Sequence, residues 1–254
     1  MKSLANSNVL YDEKFPRSNK YDNVWIFNNK MGPHPLWLTE FLAQSFDLKP
    51  GMRVLDIACG KGMTSVFLVR EFGVQAYAAD FDKWGSSTEI RWNNAKEHGV
   101  ENLVVPLTVD AENLPFAQDF FDAIICVNAY FYFGADDKYL EKILKFLRPG
   151  GKLGMIVPGY VKDISSGVPD YIKEEFDDGS CTWQTLPWWK NKWEKDGLVS
   201  IDVADTLPDG CALWLRFAEA ELAFKGEFQC DEIDTLKMDK GEYIGFVRLV
   251  ATKK

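Results

Sequence analysis

The chain has 254 residues and a formal net charge of −9 at pH 7, with a sequence pI near 4.9. This length is sufficient for one α/β domain with a large buried core, and we expect residues 1–254 to form a single domain. Nucleic-acid binding depends on basic patches and counterion release, so the acidic balance argues against DNA or RNA as a partner.

Cysteine and histidine usage indicates neither a disulfide framework nor a histidine-based zinc site. The five cysteines are scattered without a C-x-x-C pair, which predicts reduced thiols, and the two histidines are His34 and His98. We therefore expect no metal site. The chain has no apolar run of signal-peptide length or of about 18 residues, so we expect no membrane association and a cytoplasmic location. The cysteines are Cys59, Cys126, Cys181, Cys211 and Cys230.

The first 35 residues are polar with interspersed aromatic side chains, and residues 31–35 read as an irregular turn. We predict that residues 1–35 form an N-terminal cap over a ligand. The alternative is a docking arm that covers one edge of the sheet. Apolar residues then recur with helical spacing from Leu36 to Phe46, which predicts a helix that faces the sheet.

The stretch from Val54 to Gly62 reads V-L-D-I-A-C-G-K-G. Its apolar residues lack polar alternation, which predicts a buried parallel strand. Gly60 and Gly62 allow the backbone to turn tightly and to approach a ligand, and helical spacing begins at Met63, so the ligand would lie at a helix N-terminus. Asp56 stands where a dinucleotide's pyrophosphate would approach, and the two anions would repel. The stretch therefore favours a ligand with a cationic amine.

This acid followed by small residues resembles the first motif of the class I S-adenosylmethionine-dependent methyltransferases. The resemblance covers residues 36–157 and implies that Asp56, Ala58, Gly60 and Gly62 bind S-adenosylmethionine. Ala58 replaces the usual first glycine, which an extended backbone would tolerate. The resemblance also implies a Rossmann-like, doubly wound seven-stranded sheet that is mostly parallel, with the last strand antiparallel.

The second predicted strand runs from Val74 and ends in Asp80. A Rossmann fold presents a carboxylate at this place to the ribose hydroxyls of an adenosine, so we assign Asp80 and the adjacent Phe81 to the cofactor site. A helix N-cap role for the acid is the alternative. Because dehydrogenases use the same carboxylate, Asp80 indicates adenosine binding and not methyl transfer by itself.

The third predicted strand, from Asn102, ends in the sequence D-A-E-N-L-P-F that begins at Asp110. In the methyltransferase family, an acid and a small residue here hold the adenine. The carboxylate accepts a hydrogen bond from the exocyclic amine, and a backbone N–H donates to a ring nitrogen. By this resemblance we assign these roles to Asp110 and Ala111, with Glu112 beside them.

The fourth predicted strand, from Phe121, ends at Asn128 on the ligand edge of the sheet. We expect Asn128 to line the methionine end of the cofactor, with Tyr130 and Tyr132 beside the reacting methyl group, either as orienting hydroxyls or as core aromatics. The sequence N-A-Y-F from Asn128 superficially resembles the N-P-P-Y sequence of the adenine and glutamine N-methyltransferases. Both prolines are missing, which argues against that chemistry. His34, in the cap, is the first candidate for a general base, and a solvated turn histidine is the alternative.

The remaining chain completes the predicted sheet. Asp136 begins a helix, the L-R-P-G-G sequence from Leu147 forms a turn, and a fifth strand follows. Residues 158–186 are long for a loop in a compact domain and predict a substrate lid. The last segment, residues 187–254, contributes the C-terminal part of the sheet. Its expected elements are a helix over 187–195, a strand over 198–204, an insertion over 207–241 that contains a helix over 212–224, and a strand over 243–251.

These features predict a methyltransferase that transfers the methyl group of S-adenosylmethionine in line to a small molecule. Positioning alone supplies much of the rate in such a displacement. The alternatives are a non-catalytic protein that binds S-adenosylmethionine or another adenosine ligand, and a nicotinamide-dependent oxidoreductase, whose motif would have glycine where Asp56 to Ala58 stand. The sequence leaves the methyl acceptor and the oligomeric state open.

Overall fold

One seven-stranded sheet organises the protein in a computed structural model, which describes residues 8–83, 85–176, 182–226 and 231–254. Its strands, β1 to β7 in chain order, are Arg53–Ile57, Gln75–Asp80, Val104–Thr108, Phe121–Val127, Leu147–Tyr160, Val199–Thr206 and Ile244–Lys253.

The strand order across the sheet is β3-β2-β1-β4-β5-β7-β6. Strands β1 to β5 pair in parallel, whereas β7 lies antiparallel between β5 and β6. The predicted doubly wound sheet with an antiparallel last strand is confirmed. The strand order reverses between β1 and β4, and open α/β sheets bind ligands outside the carboxyl ends of the strands at such a point.

Helices cover both faces of the sheet, which is why its central strands are apolar on both sides. The helices, α1 to α9, are Asn23–Asn29, Pro35–Ala43, Met63–Phe72, Thr88–Glu97, Tyr139–Leu144, Asp170–Phe176, Leu186–Glu194, Gly210–Lys225 and Asp231–Asp239. Side chains of α1 to α4, α6, α8 and α9 belong to the core on one face, and those of α5 and α7 to the core on the other. None of the helices in the described ranges combines the length and apolar composition that a bilayer span needs.

The segment around α5 differs from the prediction in two ways. Asp136 does not cap the helix, because Lys138 holds the N-cap position and its backbone N–H donates to the Asp136 carboxylate at 2.7 Å. The predicted turn at Leu147 belongs instead to β5, since Leu147 pairs with Phe121 before the register shifts. Gly151 allows this bulge, because a Cβ there would meet the Asp122 carbonyl oxygen at 2.9 Å.

The predicted lid and insertion contain more regular structure than expected. Strand β5 extends to Tyr160 and α6 lies inside the predicted lid, whose residues 177–181 are outside the described residues. The predicted insertion contains a second helix, α9, whose short and mostly polar sequence gave no periodic signal. Residues 227–230 of that insertion are outside the described residues.

The N-terminal arm, residues 8–34, packs on α2, α3, α4 and α8 rather than along an edge strand of the sheet. The Phe27 and Phe217 rings stack at 5.6 Å, and the Trp25 indole N–H donates to Asn94 at 3.2 Å. The predicted docking arm at a sheet edge is therefore wrong for the described part of the arm. Its buried apolar side chains are Leu10, Phe15, Tyr21, Trp25, Ile26 and Phe27.

Glu40 on α2 anchors this arm through hydrogen bonds to its carboxylate. Its carboxylate accepts from the Arg17 backbone N–H at 3.0 Å, and from both the backbone N–H and the hydroxyl of Ser18 at 2.7 Å. Glu40 is 5% exposed, so water cannot replace a lost acceptor there.

We predict that Glu40→Gln lowers the free energy of unfolding by about 2 kcal/mol, because the amide turns an N–H donor toward buried donors. Trypsin cleavage after Arg17 and Lys20 should accelerate as the arm loosens. Chemical denaturation and limited proteolysis measure the two effects. Glu13→Gln is the matched control, since Glu13 is an exposed acid on the same arm. An equal midpoint for the two variants would contradict the role of Glu40.

Candidate functional site

Strand β1 ends in a tight turn that leads directly into α3. Gly60 and Gly62 have φ values of +57° and +80°, in the left-handed region that glycine adopts without strain. Ala58 has a φ of +54°, so the expectation of an extended backbone is wrong, and its methyl group carries strain of about 1 kcal/mol. Because α3 begins at Met63, the turn lies at the N-terminal end of the helix, where free N–H groups favour an anionic group.

Asp56 lies at the end of β1, one residue before the strand stops, and is 1% exposed. One carboxylate oxygen, Oδ2, accepts from the Ser65 hydroxyl at 2.6 Å. The other, Oδ1, has no hydrogen-bond partner among the described residues. Burial raises the pKa of Asp56 to about 7; the Ser65 hydrogen bond opposes this effect and the charge of Asp80 adds to it. A buried carboxylate with a spare oxygen is suited to a cationic ligand group.

Asp80 ends β2 and faces the same turn. Its Oδ2 accepts from the Gly60 backbone N–H at 2.6 Å, which joins β2 to the turn after β1. Burial is the main cause that raises the pKa of Asp80, and the Gly60 hydrogen bond lowers it. Asp80 does not cap the next helix, whose N-cap is Ser87. Phe81, the other residue assigned here, is 40% exposed at the rim.

Two further residues, Arg91 and Asp82, belong to this region and were not predicted from the sequence. Arg91 on α4 is fully buried and donates to the Gly60 carbonyl at 3.2 Å and to the Asp82 carboxylate at 2.7 Å. One sequence signal could have identified Arg91: it lies four residues before Ala95 and therefore on the same, buried face of α4. A charged side chain on a buried helix face requires a partner.

Asp110 and its neighbours form a local turn after β3. The Asp110 carboxylate accepts from the Glu112 backbone N–H and from the Asn113 side-chain amide, both at 2.9 Å. The Ala111 carbonyl accepts from the Tyr139 hydroxyl at 3.2 Å. This turn follows the carboxyl end of β3, and the N–H of the preceding residue, Val109, donates to the Asp80 backbone carbonyl at 3.0 Å.

Asn128 follows β4 and connects the sheet to the N-terminal arm. Its φ is +60°, and its side-chain N–H donates to the Met31 carbonyl at 3.3 Å. A Cβ on Gly32 would lie 2.2 Å from the Asn128 amide nitrogen, and a Cβ on Gly60 would lie 2.7 Å from the Met31 sulfur. Residues 31–32 therefore lie directly across the glycine turn. The Asn128 Oδ1 atom is buried without a partner among the described residues.

Tyr130 does not lie in the crevice. It is fully buried in the core that contains α5 and α7, where its ring contacts Trp189 at 5.6 Å and Trp193 at 5.5 Å. Burial raises the pKa of Tyr130 far above its ordinary value. Of the two alternatives, the structure supports the core aromatic, and the expectation that Tyr130 lies beside a reacting methyl group is wrong. Tyr132 is 59% exposed.

His34 is a helix cap. Its Nδ1 accepts from the Trp37 backbone N–H at 3.3 Å, and its ring stacks on the Trp37 ring at 4.0 Å. His34 is 3% exposed, and burial lowers its pKa to about 3. In the neutral ring, an accepting Nδ1 leaves the proton on Nε2, so no nitrogen remains to accept a substrate proton. The predicted general base and the alternative of a solvated turn histidine both disagree with this geometry.

The residues around the turn fit S-adenosylmethionine. Two buried side-chain oxygens, on Asp56 and Asn128, have no hydrogen-bond partner among the described residues, and both residues lie at or just after the ends of strands beside the glycine turn. The cofactor's ammonium and carboxylate match a buried acid and a helix N-terminus, respectively. Within the described ranges, no three His, Cys, Asp or Glu side chains cluster closely enough to hold a metal ion.

A family described as a methyltransferase domain matches residues 48–196. Among named relatives, the methyltransferase GfsG of Streptomyces halstedii is 28% identical over 193 residues, which cover 71% of this chain and 66% of that protein. The ubiquinone/menaquinone biosynthesis C-methyltransferase UbiE of Vibrio campbellii is 29% identical and covers 62% of this chain and 58% of its own. The matched part thus spans less than two thirds of these relatives.

Solved structures share the fold at low sequence identity. Geranyl diphosphate C-methyltransferase from Streptomyces coelicolor has a TM-score of 0.69 and 15% identity, over 85% of this chain and 78% of that chain. The [4+2]-cyclase SpnF also has a TM-score of 0.69, with 19% identity over 85% and 80% of the two chains. Because the family match includes β1 to α7 and the sheet order agrees, the chain belongs to the methyltransferase domain family, whose cofactor is S-adenosylmethionine.

Proposed function

We propose that this protein binds S-adenosylmethionine at the carboxyl ends of β1, β2 and β4 and transfers its methyl group to a small molecule. The observation that carries the proposal is the buried Asp56 carboxylate, whose Oδ1 has no partner among the described residues. Leaving a buried acceptor unsatisfied is costly, and a cationic amine in the crevice would satisfy it.

When bound, the cofactor supplies a methyl group that its own sulfonium charge already activates. The protein residues then have to orient the cofactor and exclude water. Asp56 would hold the ammonium, and the N–H groups at the start of α3 would hold the carboxylate. Asn128 would line the methionine end with its unpartnered Oδ1. Positioning of this kind contributes up to roughly 7–11 kcal/mol to a bimolecular reaction.

The adenosine would lie toward β2 and β3. Asp80 would accept hydrogen bonds from the ribose hydroxyls, with Phe81 at the rim. Asp110 and Ala111 would contact the adenine, with Glu112 beside them, although the Asp110 carboxylate already accepts two local hydrogen bonds. A nicotinamide cofactor fits this turn poorly, because Asp56 would repel its pyrophosphate.

We assign no general base. His34 and Tyr130 are structural, and Tyr132, which is 59% exposed, remains a predicted orienting hydroxyl. A nucleophile that arrives deprotonated, or an amine with a free lone pair, needs no base to attack the methyl group, whereas a neutral hydroxyl would need one. The acidic net charge of −9 supports a small-molecule acceptor over a nucleic acid. Three free cysteines among the described residues, Cys59, Cys126 and Cys211, support a reducing, cytoplasmic location.

The activity is tested with S-adenosylmethionine labelled in its methyl group and a small-molecule extract as acceptor source. We expect label to move into a low-molecular-weight product, with one S-adenosylhomocysteine formed for each product. Mass spectrometry measures both species. Binding of the cofactor with no product from any acceptor pool would favour the non-catalytic alternative.

We predict that Asp80→Ala weakens S-adenosylmethionine binding by roughly 1.5 to 3 kcal/mol, which is the scale of hydrogen bonds to a charged group. Calorimetry measures the dissociation constant, and NAD should bind less tightly than S-adenosylmethionine to the unmodified protein. Asp122→Ala is the matched control, because Asp122 is a half-buried acid that accepts from the Arg53 N–H at the amino ends of β1 and β4, away from the proposed site. Equal affinities of the two variants for S-adenosylmethionine would show that Asp80 does not bind the cofactor.

We predict that S-adenosylmethionine affinity rises about tenfold between pH 5.5 and 7, because the Asp56 carboxylate with its pKa of about 7 must ionise to hold an ammonium. Calorimetry at several pH values measures this slope. Asp56→Asn should bind more weakly and lose the pH dependence, whereas Asp47→Asn, at an exposed acid, should retain both. A pH-independent affinity in the unmodified protein would contradict the role of Asp56.

The same raised pKa predicts a stability effect in the absence of ligand. The folded protein holds the Asp56 proton more tightly than the unfolded chain, so Asp56 lowers stability increasingly as the pH rises from about 4 to 7. Asp56→Asn should therefore stabilise the ligand-free protein at pH 8, on the order of 2 kcal/mol. Urea denaturation measures the difference. A destabilised variant at pH 8 would show that the carboxylate is stabilised by a group other than Ser65.

A further inference from the structure

Arg91 is a buried cation whose hydrogen bonds all end on the segments that surround the glycine turn. Its side chain is 0% exposed. One terminal nitrogen donates to the Gly60 carbonyl at 3.2 Å, and the other donates to the Asp82 carboxylate at 2.7 Å and to the Leu107 carbonyl at 3.1 Å. One guanidinium therefore joins the chain after β1, the chain after β2, and β3.

Gly60 is held from both sides by this arrangement. Its N–H donates to Asp80 and its carbonyl accepts from Arg91, so the orientation of the peptide groups around Gly60 is fixed in two directions. Gly62 packs against the aliphatic part of the Arg91 side chain, since a Cβ on Gly62 would lie 3.2 Å from the Arg91 Cγ. A displaced Arg91 would therefore release both glycines of the turn.

Asp82 anchors the guanidinium from the outside. Its second carboxylate oxygen accepts from the Thr108 hydroxyl at 2.7 Å, which ties the ion pair to the end of β3. The Asp82 side chain is 33% exposed, whereas the Arg91 side chain is fully buried. Desolvating a guanidinium costs several kcal/mol, so hydrogen bonds to Asp82, Gly60 and Leu107 must offset that cost.

We propose that Arg91 is a positioning residue for S-adenosylmethionine, one that acts on the cofactor without touching it by holding the Gly60–Gly62 turn against the ends of β2 and β3. This inference rests on the proposed function. It adds that the affinity for the cofactor depends on a residue of α4 outside the binding crevice.

The charge of Arg91 has a second effect on the same site. The ionisable groups near it are Asp56 on β1, Cys59 in the turn, and Asp80 and Asp82 at the end of β2. Burial raises the pKa of all four groups and is the largest effect on Asp56, Cys59 and Asp80, whereas the positive charge of Arg91 lowers the pKa of each. Arg91 therefore favours the ionised carboxylates that a cationic ligand needs.

The experiment compares Arg91→Met and Arg91→Lys with a matched buried arginine, Arg248. Arg248 is 7% exposed and also binds one carboxylate, on Asp205, and one backbone carbonyl, on Phe41, but it lies on β7. Calorimetry with S-adenosylmethionine between pH 6 and 8 gives the dissociation constants. Urea denaturation without ligand gives the stability of each variant.

We expect Arg91→Met to weaken binding by about tenfold or more, and to shift the pH midpoint of binding upward by about one unit. Arg91→Lys should weaken binding but keep the midpoint, because it retains the charge and loses the planar fork. Arg248→Met should lose stability without either change. A merely structural role for Arg91 predicts equal effects of Arg91→Met and Arg248→Met, and that result would overturn the proposal.

If Arg91→Met does not fold, Asp82→Asn tests the proposal in its place. This variant loosens the guanidinium but leaves the charge in place, and it should weaken binding several-fold with no shift of the midpoint. Binding within twofold of the unmodified protein in both Asp82→Asn and Arg91→Lys would also overturn the proposal. Failure of the unmodified protein to bind S-adenosylmethionine would instead overturn the proposed function itself.

Discussion

The burial of a carboxylate with one unpartnered oxygen, at the end of β1, is the constraint on which the rest of the site depends. Asp56 accepts one hydrogen bond from Ser65, and burial raises its pKa to about 7. A side chain selected for stability alone would be apolar or fully paired here, because a buried unsatisfied acceptor costs about 1 to 3 kcal/mol. The proposed cofactor would explain the acid, because its ammonium would pair with the free oxygen at the point where the strand order reverses.

The elements around Asp56 form a rigid frame. The Gly60 peptide is fixed by Asp80 on one side and by Arg91 on the other, and the Met31–Gly32 segment lies across it. The arm that carries this segment is anchored by Glu40 and by aromatic packing. A ligand that enters under residues 31–32 must therefore displace local contacts, while the buried part of the arm remains in place.

The sequence predicted the sheet and the acids at the ends of its strands because both depend on a local pattern. That pattern is an apolar run followed by Asp56, Asp80 or Asp110. It did not predict which way side chains point after an irregular residue. The positive φ of Asn128 redirects the chain, and Tyr130 enters the core on the opposite face. The sequence suggested that His34 is a general base because histidine commonly transfers protons. The helix that begins at Pro35 needs a cap, and the His34 imidazole supplies it.

The fold alone does not define the reaction or the methyl acceptor. The family match covers residues 48–196 and includes the strands that end in acids, whereas α8, α9 and the N-terminal arm lie outside it. A structural neighbour with the same sheet is named a [4+2]-cyclase, and another a C-methyltransferase. Under the proposed function, the acceptor would be selected by side chains outside the glycine turn, such as those of the N-terminal arm and α8, two elements that lie outside the family match.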